Sequence, residues 1–79
     1  MSTLDLTNLT CPWPIIKTKQ AMDKLPSEDN LLVIVTDPSF LIDCKVYVQK
    51  TGHKLLSIWY NNSNIYCLLQ KSLLNTEGN

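Results

Sequence analysis

No segment of this 79-residue chain holds the roughly 20 consecutive apolar residues that a membrane-crossing helix needs. The start Met1-Ser2-Thr3-Leu4-Asp5 also lacks the basic and apolar regions of a signal peptide. The chain is therefore expected to be cytoplasmic and to work away from membranes. Charge of either sign is not in excess: seven basic and seven acidic side chains cancel, so no general field draws the chain onto nucleic acid. The three cysteines, Cys11, Cys44 and Cys67, are odd in number and form no C-x-x-C pair, which speaks against a disulfide framework and against a zinc site. His53 is the sole histidine and has no ligand-type neighbours, so neither a metal nor another cofactor is expected. Repeats, low-complexity tracts and linkers are absent as well.

What remains is 44% apolar residue content in short separated runs, enough for a packed core and too little chain for two of them. One domain is expected over residues 1–79, with its core at about 2–72 and the polar tail Asn75-Thr76-Glu77-Gly78-Asn79 frayed. Leu4-Asp5-Leu6 alternates as a strand does, and Thr7 to Thr10 supplies a loop. From Pro14 to about Leu25 the residues Ile15, Thr18, Met22 and Leu25 recur at helical spacing, with Lys17, Lys19 and Lys24 on the wet side. Pro26 to Asn30 is a turn. Leu31 to Val35 is a continuous, β-branched run that suits a central strand buried on both faces.

Asp37-Pro38 opens a second helix, with Asp37 as its cap. The set Leu41, Cys44, Tyr47 and Val48 forms its apolar stripe, and Gly52 follows its end. Leu55 to Tyr60 and Ile65 to Leu69 flank Asn61-Asn62-Ser63-Asn64 as a hairpin. The order β-α-β-α-β-β predicts a two-layer α/β (α+β) sandwich, a mixed sheet with both helices packed on one face.

The chemistry concentrates at Cys11-Pro12-Trp13-Pro14. A cysteine just ahead of a helix meets unpaired backbone N–H groups and the positive end of the helix dipole, both of which favour the nucleophilic thiolate. Pro12 and Pro14 fix φ near helical values and form a rigid mount for the sulfur. With no histidine nearby and no resolving cysteine, such a thiol suits neither hydrolysis nor dithiol exchange, but it can accept and release a sulfur atom. Trp13 beside it is a candidate docking anchor for a partner, or else folds back onto the surface.

The run Leu6-Thr7-Asn8-Leu9-Thr10-Cys11-Pro12-Trp13-Pro14 resembles the C-P-x-P signature of the TusA-like (SirA-like) sulfur-carrier family. Leu32-Val33-Ile34-Val35-Thr36-Asp37-Pro38-Ser39 is similar to that family's strand and Asp-Pro helix start. Asp43 matches its mid-helix acid, and Gly52-His53-Lys54-Leu55 its step into the third strand. Cys44-Lys45 departs from the Ile-Pro that often follows the acid.

The resemblance implies a carrier-type sulfurtransferase: Cys11 receives sulfane sulfur as a persulfide from a cysteine desulfurase or another sulfur carrier, and passes it to an acceptor protein. The alternative is a non-catalytic binding or regulatory module that uses the Cys-Pro loop for docking. The destination of the sulfur, whether tRNA thiolation, molybdenum cofactor, sulfur oxidation or selenium handling, is open at this point. Asp37 is read as a cap and His53 as a turn residue with an ordinary hydrogen bond. Cys44 and Cys67 are core positions, Lys17 and Lys19 a solvated face, and Trp59, Tyr60 and Tyr66 cross-strand packing partners.

Overall fold

Alternation of apolar side chains on two neighbouring strands creates one greasy sheet face, and that face decides where the helices sit. The computed structural model describes residues 2–72, so the tail at 75–79 lies outside the described residues. Strand β1 spans Ser2–Leu6, helix α1 Trp13–Asp23, β2 Asn30–Val35, α2 Phe40–Thr51, β3 Lys54–Asn61 and β4 Asn64–Gln70. This is the expected β-α-β-α-β-β order.

The four strands lie in the order β1-β2-β4-β3. β1 runs parallel to β2, while β4 runs antiparallel to both β2 and β3. Each helix thus crosses between parallel strands, as a parallel connection requires, and the hairpin returns β4 into the middle of the sheet. Asn62, at the head of that hairpin, takes a left-handed φ of 58°, a conformation asparagine tolerates better than most residues.

Leu31, Val33 and Val35 of β2 and Ile65, Cys67 and Leu69 of β4 point to the helix side and are buried. Met22 from α1 and Phe40, Cys44 and Tyr47 from α2 close over them. The expected double burial of β2 is not found: Leu32 and Ile34 are only half-buried. With both helices on one side, no described element covers the other, and the run is continuous because its far face packs laterally. Leu32 pairs with Leu68 and Ile34 with Tyr66, and Tyr66 stacks on Trp59 at a centroid distance of 5.4 Å. Trp59 and Tyr66 are therefore cross-strand partners, as expected, whereas Tyr60 is 65% exposed.

The helix ends follow local chemistry. α2 stops where Gly52 adopts φ 83° and donates its N–H to Val48 O at 3.0 Å, the left-handed cap that glycine takes most readily. α1 ends at Asp23, short of the expected Leu25, and the Lys71 ammonium donates to Met22 O at 2.7 Å. Met22 O also accepts the Leu25 N–H at 3.2 Å, so the contact adds a positive charge at the carboxyl end of the helix.

Candidate functional site

Two loops leave the carboxyl ends of the adjacent parallel strands β1 and β2, and hydrogen bonds tie them together. Asn8, itself at φ 68°, donates its backbone N–H to Thr36 Oγ1 at 2.9 Å. Cys11 donates its backbone N–H to Asp37 Oδ2 at 2.8 Å. The other carboxylate oxygen of Asp37 accepts from the Ser39 N–H at 3.0 Å and the Ser39 hydroxyl at 2.9 Å. These donors hold the Asp37 carboxyl below the ordinary carboxylate range, the Ser39 amide contributing most and the Cys11 amide next.

Asp37 thus does more than the capping assigned to it. α2 begins at Phe40 with Ser39 at the cap position, and Asp37 organises the turn before it while fixing the Cys11 backbone. Sequence spacing alone does not reveal that link, because the two residues are 26 positions apart.

Cys11 is exposed, and the peptide to Pro12 is cis. Its mount differs in one respect from the sequence expectation. Pro12 and Pro14 have no N–H to offer, the Trp13 N–H is engaged by Thr10 O at 2.9 Å, and the Cys11 N–H by Asp37. At Cys11 and Trp13 the amide donors expected to face the sulfur are therefore spent, and at Pro12 and Pro14 they are missing. The polar group that does face it is a carboxylate: Cys11 Sγ lies 4.0 Å from Asp43 Oδ2.

From the thiol a groove of about 660 Å³ runs between the helices. Its walls are Ile15, Lys19 and Asp23 of α1 facing Asp43, Val46, Tyr47 and Lys50 of α2. The α1 row steps by four residues and the α2 residues recur at three and four, so each set lies on one helix face. Lys19 is exposed, as a solvated face implies, and its ammonium also lines this groove, 5.8 Å from the Tyr47 ring centroid. Lys17 is exposed and absent from the lining. Beside the groove mouth Trp13 is 53% exposed, Ile42 69% and Val46 45%, so Trp13 does not fold away.

The remaining thiols are fully buried, and loss of hydration pushes Cys44 up to about 12 and Cys67 up to about 11. They are core residues, as expected. His53 is a packed turn residue: Ser72 donates its N–H to His53 Nδ1 at 3.0 Å, and the ring meets Tyr47 edge-on. Burial and the charge of Lys71 hold its pKa below the usual histidine value. Among the described residues no group of three or more metal-ligand side chains converges.

Periodicity and spacing by themselves give Asp43 no role at the site. Its signal in the sequence is that it immediately precedes Cys44 and lies four residues before Tyr47, both buried, which sets it at the border of the apolar stripe and turns it toward α1.

The family described as sulfurtransferase TusA matches residues 2–71. A sulfur carrier protein TusA of Allochromatium vinosum is 32% identical over 69 residues, covering 87% of this chain and 91% of that protein. A putative sulfur carrier protein of Aquifex aeolicus is 33% identical over 89% of this chain, which spans 36% of that longer protein. The crystal structure of a SirA-like protein from Desulfitobacterium hafniense superposes with a TM-score of 0.81 over 91% of this chain and 99% of its own. At 20% identity that likeness speaks for the fold.

Proposed function

The chain belongs to the TusA sulfurtransferase family and is a sulfur carrier; from that premise we propose that Cys11 holds the cargo as a persulfide and relays it between proteins. The Cys11 thiolate attacks the terminal sulfur of a donor persulfide, R–S–SH. A new S–S bond forms as the donor bond breaks, and the donor sulfur leaves with the bonding pair. A second exchange in the opposite sense delivers the sulfur to an acceptor thiol. The donor is a cysteine desulfurase or another sulfur carrier, and the acceptor is a downstream protein.

One observation carries this reading: Cys11 is exposed while Cys44 and Cys67 are sealed in the core. A persulfide beside a second accessible thiol collapses to a disulfide and releases sulfide. Here no such thiol is within the folded surface, so the loaded form persists long enough to be handed on. Trp13, two residues past the cysteine, and Ile42 and Val46 of α2 offer exposed apolar side chains on which a donor or acceptor can dock, with Trp13 as the anchor. Pro12 and Pro14 hold the sulfur in place without contributing N–H groups.

Incubation with a cysteine desulfurase and cysteine, followed by intact-mass measurement, should add one sulfur to the wild type and none to Cys11→Ser. A wild-type protein that stays unloaded across several donors would sink the proposal.

A further inference from the structure

We propose that Asp43 is the proton acceptor for Cys11 in sulfur transfer, taking the thiol proton as Sγ attacks and giving it to the departing donor sulfur. This rests on the persulfide reading above. Asp43 Oδ2 is 4.0 Å from Cys11 Sγ, a loose contact of the kind that tightens when a reaction partner closes the site. The carboxylate is half-buried on α2, so its position is set by the helix and not by a free loop. The neighbouring Asp37 fixes the Cys11 backbone through the amide, and the two acids therefore hold the residue at both ends.

Other candidates for the proton are poorly placed. The His53 imidazole has its Nδ1 occupied by Ser72 and is not part of the groove lining. The charged and titratable groups facing this end of the groove are Lys19 and Asp23 from α1 and Tyr47 and Lys50 from α2, with Asp37 behind the Cys11 backbone. Among the residues that line the groove, Asp43 is the one whose carboxylate meets the sulfur.

The step balances without any further reagent. Cys11–SH and R–S–SH become Cys11–S–SH and R–SH; one S–S bond forms as one breaks, the sulfane sulfur keeps its oxidation level, and the single proton passes through Asp43. Because a thiol must lose its proton before it attacks, the acceptor matters most at low pH, where free thiolate is scarce. At high pH solvent removes the proton and Asp43 becomes dispensable.

The test loads the full chain in single turnover with glutathione persulfide, a donor small enough to need no docking surface. Quenched samples are read by intact mass at about pH 6 and about pH 9, bracketing an ordinary thiol. Asp43→Asn should load about tenfold or more slowly than wild type at the lower pH and within about threefold of it at the higher one. Asp43→Ser should behave alike, providing the same comparison should the amide disturb folding, and Asp43→Glu should recover most of the rate. Equal rates at the lower pH, or the same loss at both, would overturn the assignment, the second outcome marking a purely structural role. Absence of loading in wild type would overturn the persulfide reading and this inference together.

Discussion

Asp37 and Cys11 show how one side chain can serve a fold and a site at once. A single carboxylate accepts from three donors in two loops, so its removal frees the Cys11 backbone as well as the turn ahead of α2. Asp37→Ala should lower the thermal midpoint and slow sulfur loading by about an order of magnitude or more, since misplaced reacting groups are costly. Loading unchanged in a destabilised variant would show that the amide contact does not position the sulfur. The other thiols provide a check on the same scale. Ellman's reagent should modify one cysteine per native chain and all three in denaturant; rapid native labelling of Cys44 or Cys67 would contradict their burial.

At the scale of elements, the end of α2 is the clearest local device. Gly52 sits at φ 83° with open space where a Cβ would stand, so the cost of a side chain there is conformational and not steric. Gly52→Ala should cost about 1 kcal/mol in denaturant unfolding, and Gly52→Asn less, because asparagine tolerates the left-handed region. An alanine variant as stable as wild type would mean that the helix terminates without this cap. α1 and α2 also illustrate what helical spacing reveals and what it hides. Thr18, Met22, Cys44 and Tyr47 were legible as inward positions, whereas Phe40, buried at the first turn of α2, belonged to no recognised stripe because too little helix precedes it. The facing ridges that form the groove were equally invisible, since periodicity ranks the faces of one helix and is silent on which ridge meets which.

The whole molecule rests on one core over one sheet face. Phe40 fills its centre at 1% exposure, and Phe40→Ala should destabilise the chain by about 3–5 kcal/mol through lost transfer energy and the cavity left behind. A much smaller loss would imply collapse of the helices into that space. The molecule should also respond to acid through His53. Its pKa is lowered in the folded state, so the unfolded chain binds the proton more readily; stability is full above the ordinary value of about 6.5 and declines as the pH falls below it. His53→Asn, which keeps an acceptor for Ser72, should flatten that decline in pH-dependent unfolding, and an unchanged slope would place the titration elsewhere.

The element order, the start of a helix directly after Cys11-Pro12 and the buried status of Cys44 and Cys67 were readable from residue order, because periodicity, proline chemistry and turn residues act over a few neighbours. Neither the contact of Asp37 and Asp43 with Cys11 nor the half-exposed face of β2 was readable in that way. Both depend on which strand lies beside which and on both helices taking the same side, and such long-range pairing is settled by the burial of the chain as a whole.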